Sequence, residues 1–347
     1  MSIDSNTIPI QIQGNLPPAP RTSAGCAPLR RANSVRRTST VDATWPEGRG
    51  KAMAFDARAR DVLTTSIDSA PQVLALDRVT ATIAVDRSIA AIDADPARAG
   101  ISRLVGARGG GYLRRALEES LPDERDAGTP LYLLLDDFAG VSLIGGWAWR
   151  HWDDAPETGK KLYGVGPTQM AERLAKMEDI CSGFAPGSNA LRDVAGTLQN
   201  FAPVVPLPNP ADPAGWHELP STEGVTMRRA RRIDVWRDTE TIHVDAMFQD
   251  SASVPEGGRK AVHEYTLQAQ IDAITLKLIG VQAQPRILPY PECPSAVGHL
   301  SRLIGAPVRE LRALVLEQLP KSLGCTHLND ALRALAEVPL LVQELKR

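Results

Sequence analysis

Four cysteines and 5% aromatic residues are all that this chain of 347 residues carries of either kind. So few thiols cannot make a disulfide framework, and the expectation is reduced cysteine and a cytoplasmic location. Charge of one sign is also missing. Lys and Arg number 39 against 41 Asp and Glu, for a net charge of -2, which provides no global attraction to nucleic acid or to an anionic membrane. Long apolar runs are absent: segments 130–135, 141–149 and 338–342 fall well below the roughly 20 residues that span a bilayer. The first residues lack the basic and apolar regions of a secretory leader, since the short stretch 8–13 soon gives way to proline. No Gly-x-Ser-x-Gly nucleophile elbow and no His-Glu-x-x-His helix occurs.

What the chain does have is the same set of blocks twice, in one order. Val35-Arg36-Arg37, Val41-Asp42 and Trp45 match Met227-Arg228-Arg229, Ile233-Asp234 and Trp236. Phe55-Asp56-Ala57 ending at Asp61 matches Val244-Asp245-Ala246 ending at Asp250, and Val85-Asp86 matches Ile271-Asp272. Residues 102–107 match 301–306, and Leu113-Arg114 through Leu121-Pro122 matches Leu311-Arg312 through Leu319-Pro320. Ordered blocks with small changes of spacing point to duplication. The expected division is a flexible tail over 1–28, rich in proline; an N-terminal module over 29–150; a helical and Pro-rich connector over 151–226; and a C-terminal module over 227–347.

Alternation of apolar and polar residues predicts strands over 241–248, 263–271 and 275–284, with a hairpin loop over 251–260 that holds Pro255, Gly257 and Gly258. Helices are expected over 294–304, 308–319 and 328–345, the last kinked at Pro339. In the connector, 166–184 and 189–201 read as helices and 202–224, with six prolines, as a semi-rigid linker that Trp147, Trp149, Trp152 and Trp216 pack against the modules. The fold class is therefore α+β: two tandem related modules, each a small antiparallel sheet covered by helices on one face.

Of the ten Cys and His residues, four lie within residues 293–327. Cys293, in Pro-Glu-Cys-Pro, precedes an expected helix, where unpaired backbone N–H groups and the helix dipole favour thiolate. Cys325-Thr326-His327 opens the last helix. Two thiolates and an imidazole suit zinc or an iron–sulfur cluster. His299, His263 or Asp330 would complete the shell: four protein ligands make a structural site, three plus an open position a catalytic or transfer site. The corresponding positions of the first copy hold Ala94, Gly100, Ala127 and Thr129. The bland alternative is a set of buried cysteines and helix-end histidines with ordinary capping residues. A disulfide between Cys293 and Cys325 needs their Cα atoms within about 7 Å.

Two resemblances follow from these residues. Met227-Arg-Arg-Ala-Arg-Arg-Ile-Asp-Val-Trp-Arg, His263-Glu-Tyr-Thr, Pro291-Glu-Cys-Pro and Gly324-Cys-Thr-His-Leu-Asn-Asp resemble a bacterial family known only as domain of unknown function 2889, over about 227–345; it implies no activity. In order and shape the segment also resembles NifU/IscU-type iron–sulfur scaffolds, where Cys293 would be the turn cysteine and Cys325 with His327 the late pair. This chain departs from that pattern by placing Cys first, with Thr326 between, and by having His263 in place of the early cysteine.

Other signals carry less. Gly106-Ala-Arg-Gly-Gly-Gly111 lacks the Lys-Ser/Thr of a phosphate loop and reads as a helix–helix turn. Arg30-Arg31, Arg36-Arg37 and 228–232 read as solvated edge-strand charges, Asp136-Asp137 as a strand-ending turn, and Cys181 with His217 as a remote second site. The expectation is a metal- or cluster-binding accessory protein with a protein partner and an intramolecular pseudo-dimer of its modules. Its rivals are a zinc enzyme that uses an open coordination position, with His299 or Glu292 as base, and a metal-free assembly module.

Overall fold

A computed structural model describes residues 16–152 and 167–345; positions 1–15 of the expected tail and 153–166 of the connector lie outside the described residues. Each half contributes a four-stranded meander. The first is β1 (Ser34–Thr44), β2 (Met53–Thr64), β3 (Gln72–Ile83) and β4 (Ile89–Asp95). The second is β6 (Thr226–Arg237), β7 (Thr241–Ser253), β8 (Arg259–Asp272) and β9 (Leu278–Ile287). A short β5 (Ala202–Val204) pairs with the start of β8. The α+β class holds, but the two expected small sheets are one: β1 pairs antiparallel with β6, giving a continuous nine-stranded sheet.

Burial explains which strands lie where. β2 alternates buried and half-buried residues, the period-two pattern of a strand with one face in the core. β1 and β6 are buried along nearly their whole length, as central strands covered on both faces must be. This corrects the reading of their arginines as edge-strand charges. Arg36, Arg37, Arg228, Arg229, Arg231 and Arg232 are each no more than 7% exposed. Each is therefore paired, because a buried charge without a partner is prohibitively costly. Across the β1–β6 seam Arg36 donates to Asp234, with Nη2 to Oδ2 at 2.9 Å, and Arg228 donates to Asp42 at 2.7 Å. The two pairs stand at matching places on the two strands.

Helices cover one face. α1 (Gly111–Ser120), α2 (Pro122–Asp126) and α3 (Pro130–Ile144) follow the first meander, and α3 packs on β1, β2 and β3. Thr129 caps α3 by accepting from the Tyr132 N–H, and Pro130 fits its first turn. The helical run Pro130–His151 is long and apolar enough to cross a membrane by length and composition, yet 78% of its apolar 18-residue window is buried inside the fold, which accounts for its apolar character. Asp136 and Asp137 are not a strand-ending turn. They sit mid-helix and buried, where Asp136 accepts from Arg312 at 2.8 Å and Arg333 at 3.1 Å, and Asp137 from Arg231 at 2.7 Å.

In the connector α4 (Pro167–Ala175) and α5 (Asn189–Arg192) are shorter than expected. After β9 come a 3-10 helix (Cys293–Leu303), then α6 (Leu311–Gln318), α7 (Thr326–Arg333) and α8 (Val338–Leu341). The long last helix expected over 328–345 is thus broken, with Pro339 in the first turn of α8.

The opposite face of the sheet is covered in the middle by the Pro-rich linker. Trp216 is buried with Leu207, Ala230 and Met247, and His217 sits between Thr38 and Thr40 of β1 at 2.8 Å from each hydroxyl. Of the four tryptophans expected to pack this linker, Trp216 does so; Trp147 donates to Gln199 just before it, Trp152 to the Ser253 carbonyl, and Trp149 packs edge-on against Trp45 instead. Residues 20–28 are not a loose tail: Thr22 donates to the Arg286 carbonyl and Ala27 to that of Leu207, which gives their backbone the partners their composition could not supply.

Candidate metal centre

Hairpin geometry begins the site. β7 and β8 fold about Glu256–Gly257, which sets Asp250 opposite His263, just beside a β-bulge. Asp250 points to the helical face, where the Arg229 fork from β6 donates Nε to Oδ1 at 2.9 Å and Nη2 to Oδ2 at 3.0 Å.

The third member comes from the start of α7. The turn before it is tight: a side chain on Gly324 would overlap the Leu319 carbonyl, and the Asn329 amide donates to that same oxygen at 3.1 Å. Locked this way, the first turn of α7 holds His327 over β8. Its ring stacks on that of His263, with centroids 3.4 Å apart and planes 16° from parallel. His263 Nδ1 and His327 Nε2 each lie 3.6 Å from Asp250 Oδ2. The three ligand atoms lie within 4.8 Å of one another, the only such trio of His, Cys or acidic groups among the described residues.

Burial disfavours the charged imidazole and lowers the pKa of both histidines; His327 is lowered further by His263. Burial, the largest single influence, pushes Asp250 the other way, but the charge and hydrogen bonds of Arg229 together with the neighbouring histidines outweigh it and hold the carboxyl well below its usual range. Two neutral imidazoles and a carboxylate are the ligating forms of these groups. His263 Nδ1 is buried with no hydrogen-bond partner among the described residues.

The other expected ligands lie elsewhere. Cys293 and Cys325 are buried and free, near Cys181 and Tyr265. Burial raises all three thiols, Cys181 to about 12, so they are neutral rather than thiolate. The packing is close: a side chain on Gly183 would meet Cys293 Sγ. His299, half-buried on the 3-10 helix, stands outside the trio, and Asp330 accepts from Arg229 at 3.0 Å and Arg114 at 2.6 Å. Cys181 and His217 do not form a second site; the first packs near the other thiols and the second hydrogen-bonds to β1. The glycine-rich turn 106–111 leads into α1.

Asp250 was visible in the sequence only as a repeat marker. The hairpin supplied a further signal, since folding it about its Glu-Gly-Gly tip brings Asp250 opposite His263. Nothing local announced that α7 would bring His327 to the same place.

In the first half Arg37 and Asp61 form the same fork, at 2.7 and 2.6 Å, but Ala75 stands opposite Asp61 where β8 has His263. The imidazoles belong to the second half alone. Residues 227–341 match the family described as a protein of unknown function, DUF2889. The match contains every member of the trio. No curated protein and no solved structure matches the chain.

Proposed function

We propose that the DUF2889 segment binds a divalent metal ion of the zinc type through Asp250, His263 and His327, and that the protein acts as a metal-binding accessory factor. The convergence of three ligand atoms carries the reading. Tetrahedral bonds of about 2.0–2.2 Å separate neighbouring donors by about 3.3–3.6 Å, close to the 3.6 Å found on both sides of Asp250. Arg229 would act behind the ion, fixing the carboxylate as outer partners of metal ligands do. Three protein ligands leave a coordination position open. The thiols stand outside the trio, so this reading keeps the metal without the iron–sulfur cluster. It also takes the two meanders as copies of one unit, the first retaining the Arg–Asp fork without the histidines and serving as a built-in partner.

The test is metal content after equilibration with zinc and removal of excess. About one equivalent is expected in the wild type and in Cys293→Ser, and almost none in His263→Ala/His327→Ala. A wild type that retains no metal, or a double variant that retains as much, refutes the site.

A second reading, a metal-free assembly module, is favoured by one observation: Asp61 serves Arg37 in the first half with no histidine nearby. The same experiment separates the two.

A further inference from the structure

On the face away from the helices, β7, β8, β9 and the segment 24–28 enclose a cleft of about 520 Å³. Small-molecule sites fall in the range of about 300–1,000 Å³. Its floor is polar. Gln268 pairs across the strands with Gln282 and Thr266 with Gln284, and the three glutamines are exposed. Amides of this kind offer donors and acceptors at little desolvation cost.

The wall is held in place from below. Glu264, fully buried, accepts from Ser23 Oγ at 3.0 Å, from the Ala24 N–H, and from Gln249 Nε2 at 3.1 Å. A buried carboxylate engaged in this way fixes a segment that would otherwise drift from the sheet.

Two guanidinium groups line the cleft, Arg232 and Arg286. Arg232 is matched, since it donates to Asp234 and Asp245. The Nε of each is buried without a hydrogen-bond partner among the described residues, but Arg286 differs in that none of its guanidinium nitrogens is matched by a hydrogen bond or ion pair there, a costly condition for a buried donor. Glu264, which feels the Arg286 charge, directs its oxygens to Ser23, Ala24 and Gln249 instead.

We infer that this cleft binds a small molecule bearing a carboxylate or phosphate group, with Arg286 receiving the oxyanion and Gln268, Gln282 and Gln284 the polar remainder. The two anions share the chemistry that a guanidinium recognises, a planar fork of donors against paired oxygens. The site is independent of the histidine–aspartate trio, which lies on the other face.

Calorimetric titration of the full chain with citrate and, separately, with pyrophosphate tests it. At least one should saturate the wild type, and which one does so identifies a carboxylate or a phosphate ligand. Arg286→Gln should weaken that binding at least about tenfold. Gln282→Ala/Gln284→Ala, at exposed positions, should weaken it less, and Arg309→Gln, outside the cleft, should leave it unchanged. If Arg286→Gln melts early, the glutamine pair decides. Failure of both ligands to saturate the wild type, or undiminished binding in the folded cleft variants, overturns the inference.

Discussion

Single residues in the middle of the sheet carry charges that have no access to water. Arg229 is 1% exposed and holds Asp250 and Asp330, with Asp137 at 3.4 Å. Removing it leaves Asp250 buried without its arginine countercharge, while Asp137 keeps Arg231 and Asp330 keeps Arg114, and Arg229→Met is expected to cost about 3–5 kcal/mol in urea unfolding. A loss below about 1 kcal/mol would mean that solvent reaches the cluster. His217 behaves differently, because burial, reinforced by Arg60 and Arg228, lowers its pKa to about 3 from the ordinary 6.5. Between those values the unfolded chain takes up a proton that the folded chain refuses, so stability falls as pH drops through the window. The urea midpoint of wild type should therefore decline more than that of His217→Gln between about pH 7 and about pH 4.5. Equal declines would remove His217 from the acid response. These residues were readable as types but not as roles: Arg228–Arg232 reads as a solvated run until the strand on each side is known.

At the scale of elements, α3 shows a conflict between local preference and packing. Ala is favoured over Gly inside a helix by about 1 kcal/mol, so Gly140→Ala should stabilise if the helix alone decides. A methyl group there would overlap the Arg229 guanidinium, which is pinned by its carboxylates and cannot give way. Gly140→Ala is accordingly expected to lower the melting temperature, and a rise would place α3 farther from β6 than described. The sequence read strands better than helices here. The β7–β8 hairpin and β9 were legible because period-two alternation records burial on one face. α3 was misread because burial on every side erased its periodicity, and the predicted last helix broke into α7, 3-10 turns and α8. The trio follows the same division. His263 and the hairpin were visible locally, whereas the position of His327 depends on the Leu319–Asn329 turn.

The whole molecule is organised around the β1–β6 seam. Arg36 with Asp234 and Arg228 with Asp42 bond two strands that carry Arg and Asp at matching positions. A fragment of residues 220–347 would lose β1 and present β6 as an open edge. Because β6 carries both members of the pair, two such fragments can join in the same register, Arg228 of each to Asp234 of the other. The fragment is expected to run as a dimer in sedimentation, and Arg228→Ala/Asp234→Ala to prevent that dimer. A stable monomer would show that the seam is dispensable.

The ordered repetition of blocks, the α+β composition and the concentration of Cys and His near the C-terminus were all properties of the sequence alone, because each is recorded residue by residue. Tertiary structure decided which of those residues meet. It joined two meanders into one sheet, buried the arginines at the seam, and set two histidines on Asp250 while the cysteines went to the neighbouring core. The physical reason is that burial and charge pairing are settled between strands and helices distant in the chain, where local pattern has no record of the partner.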